Sequence, residues 1–366
     1  MPFSTQAKLV RTSYLYLFLL LSLAINIEAK ANLEAFFTGG PQGLGVRRYW
    51  PYRSDQNGCK DHVADLESSY KEASELIDAA FDAIASLKEA RPGILSVSQR
   101  RDWNRKAQTM ASMFGVKIDK KGGPVAEKES VDGFQYVEGI FNQMKEGMDD
   151  DQPKGAAISG TPYRTPRDAG LYCGVDGWRY YGPNDNDPAR PGQLISDHKN
   201  PSYPDGAWYF YHNYMLLEGM TPTKHGLCGP NMYAFAIAHL NLITFCDFAW
   251  SSLAKKIDPK EVKHTDILDQ QSRNSLSSVW VHELAHFYGT YKASIEDALT
   301  DHEAVDGDGK VQIGPDGLSK KTYGVAYVMN LAKKSTRLAT HTADAYSMFA
   351  VAMYLPKWNW SKGFAD

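Results

Sequence analysis

The sequence is short of cysteine, of net charge and of long apolar runs, and each shortage removes a class of protein. Four cysteines among 366 residues are too few for a disulfide-dense scaffold, and Cys59, Cys173, Cys228 and Cys246 stand too far apart for a CxxC metal knot. The 40 basic and 43 acidic residues leave a formal net charge of -3 with the signs interleaved, so no nucleic-acid partner is expected. The long apolar run is YLYLFLLLSLAINI at 14–27, and no later segment is apolar enough to span a bilayer. There is no internal repeat and no long low-complexity tract.

What is present begins with that run. Lys8 and Arg11 precede it and the small residues Ala29 and Ala31 follow, the pattern of a secretory signal peptide over 1–31; a retained anchor is the alternative. After cleavage a secreted, extracellular chain is expected, with no membrane partner and as a monomer. An oxidising compartment makes two disulfides the natural use of four cysteines. Of the three pairings, Cys228 with Cys246 closes a short loop and leaves Cys59 for Cys173. Arg47-Arg48 is a candidate processing site, so 32–54 reads as a short N-terminal segment or propeptide and 55–366 as the main domain. Asn359-Trp-Ser is a glycosylation sequon.

With 43% hydrophobic residues the mature chain can bury a large core. Val63, Leu66, Tyr70, Ala73, Ile77, Phe81, Ile84 and Leu87 recur mostly every three or four residues, which predicts an amphipathic helix over 61–90 that Pro92-Gly93 ends. Further helices are expected over 98–114 and 131–148. Residues 153–226 are rich in Gly, Pro, Asp and Tyr and read as a small antiparallel sheet. From Gly229 onward helices are expected again, at about 230–255, 272–288, 323–334 and 342–355. The fold class is therefore α+β and predominantly helical.

The stretch VWVHELAHFYG at 279–289 carries the chemistry. On a helix, His282 and His286 share one face and can reach a single ion, while Glu283 sits about 100° away, free to act as a general base. Without a metal the same residues would be a buried helix with two incidental histidines. A catalytic zinc needs a third protein ligand and an open position. HExxHxxGxxH would place a histidine at 292, which is Lys292, so the metzincin pattern is excluded. A glutamate from a later helix is poorly served, because Glu303 lies in the turn-rich DHEAVDGDGKVQIGPDG. That segment also lacks the glutamate of a calcium loop and reads as paired turns. Asp297, eleven residues beyond His286, is close enough for the chain to loop back with a carboxylate.

HELAHFYG, IED, TYG at 322–324 and HTADAYSMFA at 341–350 together resemble the aspzincins, the deuterolysin and peptidyl-Lys metalloendopeptidase family of secreted zinc proteases. The resemblance spans most of 55–360 and is sharp between 228 and 350. It implies a zincin-like fold with one zinc per chain, His282, His286 and Asp297 as ligands, and Glu283 as general base. The substrate would be a protein or peptide. Asp344 falls on the carboxylate that lines a substrate pocket in lysine-selective members; its other reading is a charge stabilising the first turn of its helix. Likewise Asp297 has the reading of a solvated loop acid. The tyrosine expected three residues after Asp297 is Thr300, leaving Tyr323 to serve as oxyanion donor after an insertion, or to be an ordinary core aromatic. Without that donor, the fold would persist as a weak or inactive secreted binding module.

Overall fold

A computed structural model describes residues 58–148, 170–175, 178–188, 190–197, 206–210, 215–217, 227–237, 242–253, 256–272, 275–290 and 298–366. The expected signal peptide, the 32–54 segment and Asp297 lie outside these residues. About half the described chain is helical, with two small sheets, in keeping with an α+β fold.

Three long helices open it: α1 (Val63–Lys88), α2 (Val97–Phe114) and α3 (Lys128–Met148). On α1 Leu66, Tyr70, Ala73, Ile77, Ile84 and Leu87 of the expected stripe are buried, Val63 and Phe81 are half-buried, and Ala80 takes the inward place beside Phe81. The α2 helix ends on Gly115, whose φ of 71° closes the last turn in the left-handed region that glycine enters without cost.

Strand β1 (Gly170–Cys173) follows, then β2 (Trp178–Tyr181), β3 (Ala207–Phe210) and β4 (Met215–Leu217), which form an antiparallel sheet in the order β2-β3-β4. The next segment departs from expectation. Between Cys228 and Cys246, where a helix was predicted, the chain forms β5 (Ala234–Ile237) and β6 (Leu242–Phe245), paired antiparallel. AFAI is wholly apolar and LITF is interrupted only by Thr244; runs this short carry the same pattern in a strand as in a buried helix segment. Every residue of β6 is buried, and β1 adds to it in parallel, giving the order β1-β6-β5 with β5 at an edge. Both disulfides pair as expected: Cys228–Cys246 ties the base of this hairpin, and Cys59–Cys173 fastens the entry of α1 to β1.

The rest is helical: α4 (Asp247–Ser252), α5 (Leu268–Ser272), α6 (Leu276–Thr290), α7 (Val325–Lys334), α8 (Thr336–Thr340) and α9 (Ala343–Tyr354). Residues Ala343–Met353 of α9 are buried on every side, which marks it as the central helix; α1 and α6 pack against it and against each other. Trp280 of α6 sits in this centre, edge-on to Tyr70 and Phe245, and its indole N–H donates to Ser69 Oγ at 3.1 Å. A buried indole with its one donor satisfied adds apolar area without a desolvation cost. Among the described residues no helix is long and apolar enough to cross a membrane.

Candidate metal centre and cleft

VWVHELAHFYG is helical throughout, within α6, and its polar members gather on one side. The start of α6 is pinned by a buried acid: Glu72 of α1 accepts from Ser277 Oγ at 2.6 Å and from the Ile257 N–H at 3.0 Å. Burial raises the Glu72 pKa, with these two donors opposing it. One turn further on, the two imidazoles converge, Nε2 of His286 lying 3.1 Å from Nε2 of His282.

A carboxylate completes the group, and it is Asp301. Its Oδ1 stands 3.2 Å from His286 Nε2 and 3.5 Å from His282 Nε2. Among the described residues this is the group of three His, Cys, Asp or Glu side chains able to share an ion. Asp297, the expected carboxylate, lies outside the described residues, four positions earlier. Local packing explains why Asp301 arrives here. Leu299 N–H donates to Gly289 O, and a Cβ built on Gly289 would stand 2.4 Å from Leu299 Cβ, so only glycine lets the returning chain close on the helix. Thr300 N–H then donates to His341 O, which fixes the approach of the next residue.

Each histidine is oriented from behind. Asp344 Oδ1 lies 3.2 Å from Nδ1 of His282, and Leu299 O lies 2.9 Å from Nδ1 of His286. Both outer partners are acceptors, so each Nδ1 carries the proton and each Nε2 presents a lone pair to the common point. Asp301 Oδ1 is buried and has no hydrogen-bond donor, and neither has Glu283 Oε2. Three lone-pair donors held this close repel one another unless a cation or protons lie between them. A tetrahedron with ligands about 2.05 Å from its centre has edges of about 3.3 Å, close to the spacing of the three donors. Two imidazole nitrogens and one carboxylate oxygen make a donor set that suits zinc.

The electrostatics agree. Burial alone would lower both histidine pKa values; the Asp301 carboxylate outweighs it and holds them above the usual range, His282 furthest, with Asp344 adding to the effect there. Burial opposes ionisation of Asp301, yet the two imidazoles hold its pKa well below the ordinary carboxylate value. Glu283 is shifted upward, chiefly by burial, with the histidines pulling the other way. Its carboxylate accepts from the N–H of Ala236 on the edge strand β5, which ties the helix to the sheet.

Beside this cluster opens a cavity of about 350 Å³, lined by His282, Glu283, Val279, Tyr323, Asp344 and the segment 229–234 leading into β5. One wall of the cleft is thus this segment, and none of the described residues of the antiparallel sheet β2-β3-β4 lines the cavity. Tyr323 is 42% exposed, and its hydroxyl donates to Asp301 Oδ2 at 2.8 Å. Burial and the Asp301 charge push the phenol pKa well up, keeping it a donor. The Tyr323-Gly324 turn is held by two carboxylates, Gly324 N–H donating to Asp344 Oδ2 and Val325 N–H to Asp269 Oδ1, both at 2.6 Å. Gly324 has a φ of 100°, which a side chain would strain.

Sequence reading missed Asp301, and a signal for it existed. The insertion that follows folds back on itself, Glu303 bridging Lys321, Val305 bridging Val311 and Ile313 bridging Ser319. Thr322 N–H closes it on His302 O. Removing this self-paired excursion from the chain sets Thr300-Asp301 directly ahead of Tyr323-Gly324.

No family model matches the chain, and the search of curated proteins gives no match. Among solved structures it is similar to a zinc peptidase from Grifola frondosa, at 10% identity and a TM-score of 0.35, over 80% of this chain and 94% of that one. At that distance the likeness carries neither activity nor site residues across, and the side-chain geometry has to stand by itself.

Proposed function

We propose that the protein is a secreted zinc-dependent endopeptidase of zincin-like architecture. The observation that supports this most is the meeting of His282 Nε2, His286 Nε2 and Asp301 Oδ1 at one point, with Glu283 beside it in the lining of a cleft. In this reading Asp301, rather than Asp297, is the third ligand.

When bound, zinc supplies a Lewis acid that polarises a peptide carbonyl and makes water acidic enough to attack it near neutral pH. The chain's own residues do the rest. Glu283, with a free Oε2 and an upward-shifted pKa, takes a proton from the attacking water and passes it to the departing amine. Tyr323 turns its hydroxyl from Asp301 towards the carbonyl oxygen as charge develops there. Leu299 O and Asp344 keep both imidazoles in the ligand tautomer. The backbone of the 229–234 segment and β5 offers an extended peptide a wall beside the reacting atoms.

A casein digest with metal analysis tests the proposal. Cleavage sensitive to chelators and lost in Glu283→Ala with zinc retained is the expected result. Zinc bound by the wild type without cleavage would leave a metal-holding binding module, and no zinc at all would remove the reading.

A further inference from the structure

Away from the cleft, the short connection between α1 and α2 exposes an apolar apex. Ile94 is 74% exposed, Leu95 96% and Val97 63%, so three of the most exposed large apolar side chains described lie within four consecutive residues. Isolated exposed leucines are ordinary; a cluster at a convex tip is a different feature. The tip is held in shape. Ser96 N–H donates to Gly93 O, Arg100 N–H to Ser96 O, and Arg91 N–H to Lys120 O in the neighbouring turn.

Cations stand near the apex, on the helix that follows it and on the neighbouring turn. Arg100 and Arg101 follow Val97 by about one helical turn, and Lys120 and Lys121 crown the 118–124 turn that packs on the end of α1 through Gly123 N–H and Leu87 O. None of these four side chains has an ion-pair partner among the described residues. The acids close in sequence are Glu89, Asp119 and Asp102; Asp119 caps Lys121 N–H, and Asp102 is taken up by Arg105 and Lys106. Exposed apolar side chains with cations close by suit a bilayer surface, which offers hydrocarbon beneath anionic headgroups. A concave protein partner would be served as well by the apolar groups alone; the neighbouring cations are what favour lipid.

We propose that the Ile94-Leu95-Val97 tip inserts into anionic membrane surfaces and docks the protein there peripherally. This departs from the expectation of no membrane partner, which rested on the lack of a second spanning segment, a matter separate from surface attachment. It is independent of the peptidase reading.

Co-sedimentation of the purified secreted chain with vesicles tests it. Binding to phosphatidylcholine vesicles containing phosphatidylserine, weak binding to phosphatidylcholine alone and weakening by salt are expected. Leu95→Asp should weaken binding by about tenfold or more, since a buried leucine is replaced by a charge, and Arg100→Glu with Arg101→Glu should do likewise. Leu95 and Arg101 are exposed and Arg100 half-buried, so thermal melts of the variants should stay close to the wild type, with Leu95→Asp the cleanest, separating lost docking from lost folding. Absence of vesicle binding, or binding indifferent to Leu95→Asp, would overturn the proposal. So would a dimer in solution that Leu95→Asp dissolves, which would assign the tip to a second copy of the chain.

Discussion

Asp344 touches two parts of the centre at once: Oδ1 lies 3.2 Å from Nδ1 of His282, and Oδ2 accepts the Gly324 N–H at 2.6 Å. One carboxylate thereby orients a proposed ligand and holds the turn that presents Tyr323. The first-turn position on α9 also suits its charge, so the helix-stabilising reading and the positional one coexist.

Asp344→Ala should therefore weaken zinc binding by about 10- to 100-fold, the usual cost of losing a partner behind a ligand histidine. Asp344→Asn, which keeps an acceptor for Nδ1–H, should lose less. Competition with a chromogenic chelator measures both, and equal affinity in all three proteins would exclude the positioning role.

Tyr323→Phe separates the oxyanion donor from a packing aromatic. Loss of a single such donor costs on the order of a hundredfold in kcat. The expected variant binds zinc normally and keeps KM close to the wild-type value while kcat falls. An unchanged kcat would return Tyr323 to the packing role.

The charges of the cluster set a pH dependence whose sign follows from the shifts. His282 and His286 have pKa values raised above 6.5. Their contribution to the stability of the chelated protein is thus full below that value and is lost as pH rises through the raised ones. Asp301 is lowered from 3.8, so its contribution is present above that value and lost as pH falls through the lowered one. The chelated protein should gain most from this cluster in mildly acidic buffer. Zinc must displace the histidine protons, so the Tm gained on adding zinc should grow from mildly acidic to mildly alkaline pH. A gain independent of pH would contradict protonatable histidine ligands.

The helices were legible where one face repeats every three or four residues, as in α1, or where two histidines sit four apart with a glutamate beside the first, as in α6. Legibility failed at β5 and β6, because β6 is buried along its whole length and the four-residue run of β5 is too short and too uniformly apolar to show an alternation. At the site, His282, Glu283 and His286 could be read from spacing because one helix carries them all. Asp301 could not be read that way: its position depends on Leu299 closing over Gly289. Tyr323 was named despite the insertion because Tyr-Gly survives next to it, whereas its actual neighbour, Asp301, lay hidden on the far side of the paired turns.

Metal content measured across ligand variants tests the central claim most directly. The wild type and Asp297→Ala should each hold about one zinc per chain, bound through imidazole nitrogen and carboxylate oxygen, while Asp301→Ala and His286→Ala should lose it. Zinc retained at full affinity by Asp301→Ala, or lost on Asp297→Ala, would contradict the assignment.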